Sequence, residues 1–183
     1  MAEFRHILIT GNVGVGKSTL IRKLLAHFPG PAGGFITLKM AEPGADTWPL
    51  YMFPAAQPVE ERRCTEENLL GIRGAVVEHH PEKFDTLGVD LIRSAGSGGV
   101  ILMDELGFME AEAKVFQAAV LEALRGDIPV IASVKNKPGV PFLDAVRNSP
   151  GTVTYTVTRE NRDTLEQEIL EKEAAFFRPR LFS

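Results

Sequence analysis

Between Arg5 and Leu20 the chain reads RHILITGNVGVGKSTL, a short apolar run that closes on Gly11-Asn12-Val13-Gly14-Val15-Gly16-Lys17-Ser18. No other stretch constrains the fold as strongly. With so little side-chain bulk, the loop can curl round an anion and aim successive backbone N–H groups at it. It then enters a helix N-terminus, whose orphan N–H groups and positive dipole end favour the same negative charge. The order required is strand, loop, helix. His6 to Thr10 reads as a buried strand, and Leu20, Leu24, Leu25 and Phe28 line one helical face, so the context fits. A glycine-rich turn that binds nothing would not need that context.

The expected anion is a phosphate chain. Gly11, Asn12, Val13, Gly14, Val15, Gly16, Lys17, Ser18 and Thr19 are therefore the candidate nucleotide-binding residues. Lys17 is expected to reach the β- and γ-phosphates, and Ser18 to offer its hydroxyl to Mg²⁺, which prefers hard oxygen ligands.

A second stretch, Gly98-Gly-Val-Ile-Leu-Met-Asp104-Glu105-Leu-Gly107, puts four apolar residues behind two glycines and ends in two carboxylates. It predicts a strand buried on both faces. In a doubly wound sheet, ligands bind outside the carboxyl ends of the strands, which brings the pair to the phosphate loop. Asp104 is the expected Mg²⁺ partner alongside Ser18, and Glu105 the group that orients or deprotonates an attacking water. Lys17, Asp104 and Glu105 are the catalytic candidates. The alternative is an acidic approach to a helix N-terminus, which its dipole would also stabilise.

The remaining elements fit the same architecture. Phe35 to Met40 and Trp48 to Phe53 read as a hairpin, with Pro49 placing the second strand at an edge. Residues 54–70 read as an exposed excursion over the nucleotide side of the sheet, and Ala75 to His80 as a short strand before a helix opened by Pro81. A helix from about Ala111 to Arg125, a buried strand Pro129 to Val134 and an alternating strand Val153 to Val157 follow. Lys135-Asn136-Lys137 leaves the first of those strands toward the nucleotide. Asp163 and Glu166 have the spacing of a capping box for the last helix. The fold class expected is α/β, a three-layer P-loop NTPase fold whose mainly parallel sheet carries an antiparallel edge hairpin. A single domain over residues 1–183 is expected.

Composition narrows the function. A net charge of −4 argues against a broad nucleic-acid surface, and no apolar run approaches the roughly 20 residues of a membrane span. The single cysteine, Cys64, cannot close an internal disulfide. With no signal-peptide pattern at the N-terminus, a cytoplasmic location is expected. Nucleoside triphosphates are the expected partners; nothing points to a particular protein.

The phosphate loop, ILMDELGFMEAEAKVF and VTRENRDTL, with GGFIT and PEKFDTLGVDLI, resemble the THEP-type nucleoside-triphosphatase family over nearly the whole chain. The resemblance implies Mg²⁺-dependent hydrolysis of nucleoside 5′-triphosphates to diphosphate and phosphate, with broad base selectivity and slow turnover. It draws in Arg162 as a contact to the nucleotide, on its charge-bearing or its base side, against a purely structural role. Where the family pattern reads Asp-Glu-Ile-Gly-Lys-Met-Glu, this chain has Phe108 in place of the lysine; if that lysine supports phosphate or an acidic neighbour, either Lys135, Lys137 or an arginine is expected to substitute or turnover is expected to be slower. Asn136-Lys137 echoes the guanine-reading Asn-Lys-x-Asp motif, but Gly139 occupies the aspartate position, which disfavours a guanine-specific switch. Two other readings share Lys17, Ser18 and Mg²⁺: a P-loop kinase passing the γ-phosphate to a small acceptor, and a non-enzymatic nucleotide-binding accessory domain.

Overall fold

The computed structural model describes residues 5–178. The first half carries β1 (His6–Gly11), α1 (Lys17–Ala26), β2 (Ala32–Lys39) and β3 (Thr47–Pro54). Then come β4 (Leu69–Gly74), β5 (Glu78–His79) and a helical segment in which α2 (Pro81–Lys83) passes through a π-helical turn (Phe84–Gly88) into α3 (Val89–Arg93). The second half alternates strand and helix: β6 (Val100–Leu106), α4 (Lys114–Ala123), β7 (Val130–Val134), α5 (Pro141–Arg147), β8 (Thr152–Val157) and α6 (Leu165–Lys172).

All eight strands join one sheet in the order β5-β4-β3-β2-β6-β7-β1-β8. The run from β2 to β8 is parallel, and β3, β4 and β5 extend it antiparallel. The period-two alternation of strand side chains splits the core into two layers. Leu8, Ile101 and Met103 face the helices α3, α4 and α5, whereas Ile7, Ile9, Val100 and Leu102 face α1 and α6. The apolar runs of β1, β6 and β7 are thus covered on both faces, as parallel strands require. The loops after β1, β6, β7 and β8 leave the same edge of this layer.

The structure corrects five expectations. Pro49 does not mark an edge: β3 is flanked by β2 and β4, with Pro49 opposite Ile72. Its missing N–H is tolerated because the β2 register runs out at Leu50 and a bulge follows between Leu50 and Tyr51. The excursion closes earlier than expected, since β4 begins at Leu69, and the expected strand at 75–80 contracts to β5. The long helix starts at Lys114 rather than Ala111. Asp163 makes no capping box: α6 has Thr164 at its N-cap without a side-chain bond, and Glu166 instead pairs with Lys23 and His27 of the α1 end. Among the described residues no helix is long and apolar enough to cross a membrane.

Candidate nucleotide site

The loop from Gly11 to Ser18 lies where the spacing puts it, between β1 and α1. Gly14 and Gly16 have φ of +74° and +111°, in the left-handed region where a side chain is strained. The Lys17 ammonium folds back over the loop and donates to the Gly11 and Asn12 carbonyls at 3.0 and 2.9 Å. Burial lowers its pKa, Glu105 and Asp104 oppose that shift, and Lys135 adds to it. A phosphate entering the loop would supply the countercharge that two carbonyls supply only in part.

Asp104 and Glu105 arrive from β6 by a local break in the ladder. The β6–β7 register shifts between Met103 and Leu106, and Glu105 takes φ of +75°. A bulge of this kind re-aims side chains at a strand end, here at a strain of about 1–3 kcal/mol for a non-glycine residue. Thr37 steadies the turn by donating its hydroxyl to the Asp104 carbonyl at 3.2 Å. Asp104 is buried, and Ser18 Oγ donates to its Oδ1 at 3.3 Å. Burial outweighs that hydrogen bond and pushes the Asp104 carboxyl up to about 6 from an ordinary 3.8.

Glu105 is exposed, and its Oε1 lies 3.1 Å from Lys135 Nζ. Lys135 follows directly on β7, its N–H donating to the Leu106 carbonyl at 2.9 Å. Its ammonium sits 5.0 Å from the Phe108 ring centroid, and that of Lys137 4.9 Å. Strand β7 thus brings a basic group to the exposed member of the acidic pair, over the Phe108 ring.

Val13, Gly14, Gly16, Lys17, Ser18 and Thr19 share a cavity of about 320 Å³ with Asp104, Glu105 and Ser133. Arg162 is not among the residues around the acidic pair. It lines a neighbouring cavity with Gly14, Val15, Gly16 and Thr19, which neither Asp104 nor Glu105 borders, and its Nε lies 3.8 Å from Asp163 Oδ1. Asn136 and Arg159 border the loop from a third direction, together with Gly11 and Asn12. Arg62 and Arg63 donate to carbonyls within their own excursion and line none of these cavities.

Ser18 and Asp104 supply one hydroxyl and one carboxylate converging on the same space. Among the described residues no cluster of three or more His, Cys, Asp or Glu forms a self-sufficient metal cage. Such a sparse, all-oxygen set fits Mg²⁺, which is commonly held by one or two carboxylates together with substrate phosphates and waters.

Thr37 and Ser133 escaped the sequence reading. Each is a hydroxyl near the end of an otherwise apolar strand, in FIT and VIASV, and that interruption is the signal that could have found them.

An NTPase family model matches residues 6–170. The chain is 31% identical to the nucleoside-triphosphatase THEP1 of Methanocaldococcus jannaschii, over 91% of this chain and 96% of that protein. It is 30% identical to the cancer-related nucleoside-triphosphatase homolog of Bos taurus, over 91% and 95%. The crystal structure of THEP1 from Aquifex aeolicus superimposes with a TM-score of 0.71 at 24% identity, covering 91% of this chain and 98% of that one, a likeness of fold. The family model and these relatives span the loop, the acidic pair and the sheet that joins them, and the chain belongs to the NTPase family.

Proposed function

We propose that this chain hydrolyses nucleoside 5′-triphosphates to the diphosphate and phosphate, with Mg²⁺ as cofactor and several bases accepted. The observation that carries the reading is the convergence of Lys17, the Ser18–Asp104 pair and Glu105 on one cavity. A loop that only held nucleotide would need the first two, whereas Glu105 has no partner in the loop and faces the space beyond Lys17. The relatives named above are called nucleoside-triphosphatases, which agrees with a water nucleophile.

In this mechanism the loop N–H groups and Lys17 bind the β- and γ-phosphates in place of the Gly11 and Asn12 carbonyls. Ser18 and Asp104 would hold Mg²⁺, which when bound offsets charge on the phosphate oxygens. Glu105 orients the attacking water and takes its proton, and Lys135 holds the Glu105 carboxylate in position through their ion pair. Among the described residues no arginine lines the acidic cavity. An arginine there is worth roughly 10³ to 10⁵ in rate, so turnover is expected to be slow. Arg162 lines a cavity that neither Asp104 nor Glu105 borders, which supports a contact on the base side of the nucleotide. Gly139, in the place of a guanine-reading aspartate, has φ of +80° and no side chain, in keeping with broad base selectivity.

The test is phosphate release from ATP, GTP, CTP and UTP with and without Mg²⁺. Slow, Mg²⁺-dependent release from several of them is expected; nucleotide binding with no release from any would overturn the hydrolase reading.

A further inference from the structure

A second cavity, of about 250 Å³, adjoins the first, and Val13 and Glu105 border both. Trp48, Leu50, Leu70, Phe84, Phe108 and Met109 give it an apolar wall that includes three aromatic rings. The antiparallel strands β3 and β4 supply one side of it, and the π-helical turn and the loop after β6 supply the other. It is smaller than the roughly 300–1,000 Å³ of a drug-sized site, a size suited to one ring rather than two.

Charge in the cavity is not balanced. Lys39 and Arg73 line it, the first with its ammonium 3.7 Å from the Trp48 ring centroid and the second directly opposite Trp48 in the β3–β4 register. Arg73 shares a hydrogen bond with His79 at 3.2 Å, and among the described residues neither cation has a carboxylate partner. Both carboxylates that face the cavity are already engaged. Glu105 is paired with Lys135, and Glu110, 2% exposed, accepts the Gly107 N–H. Burial also pushes the Glu110 carboxyl up, toward its neutral form.

We propose that this cavity binds a one-ring aromatic acid, its ring among Trp48, Phe84 and Phe108 and its anionic group on Lys39 and Arg73. An occupant would stand against Glu105, in the space from which water approaches the terminal phosphate, and so would slow hydrolysis. That coupling rests on the hydrolase reading; the binding does not.

Trp48 is the chain's one tryptophan, so its indole N–H gives a single resonance that reports on a residue lining the cavity. Titrating the full chain with benzoate is expected to shift that resonance saturably, and with benzamide, its neutral counterpart, to do so about tenfold more weakly. The double variant Lys39→Glu/Arg73→Glu should lose about tenfold in benzoate affinity, while Arg125→Glu/Lys172→Glu, an equal charge change on distant exposed residues, should stay within about twofold. No benzoate-dependent shift, or equal affinity for benzoate and benzamide, would overturn the proposal. Phosphate release from ATP should fall along the same benzoate binding curve, and release unaltered by bound benzoate would overturn the coupling. A chain that released no phosphate at all would sink the hydrolase reading, with the indole titration still deciding whether the cavity binds.

Discussion

Lys135 Nζ lies 3.1 Å from Glu105 Oε1, and the same ammonium sits 5.0 Å from the Phe108 ring centroid. Strand β7 thus delivers a positive charge to Glu105. Removing that charge should free Glu105 from its orientation without touching the phosphate loop. Lys135→Ala is expected to lower the rate of phosphate release about 10- to 100-fold with little change in nucleotide affinity. Adding Phe108→Lys to that variant should restore part of the rate. A Lys135→Ala chain that turns over like wild type would show that the ion pair is only structural.

Asp104 is held buried with its carboxyl pKa at about 6, above the ordinary 3.8. The sign follows from which state gives up its proton first. Below about pH 4 both folded and unfolded chains are protonated at this residue, and it contributes nothing. As pH rises from about 4 to about 6, the unfolded chain ionises first and stability falls. Above that window the full deficit, on the order of 3 kcal/mol, is present in the metal-free chain. Asp104→Asn is therefore expected to raise the melting temperature of the metal- and nucleotide-free chain at pH 7.5 by several degrees, and to change it little at pH 4. The variant should at the same time lose the Mg²⁺-dependent stabilisation by nucleotide that wild type shows. Thermal melts with and without Mg²⁺ and nucleotide check both halves.

Arg162 shares a cavity with Thr19 but not with Glu105. Arg162→Ala should then raise KM about 3- to 30-fold and leave kcat within about threefold, the pattern of binding lost equally in ground and transition states. A fall in kcat of about 10³ would place this side chain at the transition state instead.

What could be read from the residues was whatever is encoded by local spacing. The run Gly11 to Ser18 needs only itself to form a strand–loop–helix cradle, and Asp104-Glu105 needs only an apolar strand behind it, so both lie where the sequence puts them. The side of the loop on which Arg162 stands depends on how the 158–164 turn packs beside α1, and nothing local fixes that. Lys135 could be placed near the nucleotide, but its ion pair with Glu105 depends on the β6–β7 register shift at Met103/Leu106. Strand β4 was hidden because a charged run precedes Leu69 and Gly71 breaks the alternation; only pairing with β3 makes it a strand. The same long-range pairing moved Pro49 from an edge to the interior.

The claim on which the proposed function rests is that Glu105 handles the proton of the attacking water. Single-turnover phosphate release by Glu105→Gln, measured beside its nucleotide affinity, tests this most directly. The expected result is wild-type affinity within a few-fold and a rate about 10²- to 10⁴-fold lower, because glutamine keeps the size of the side chain and cannot take a proton. A variant that binds nucleotide and releases phosphate as fast as wild type would contradict it.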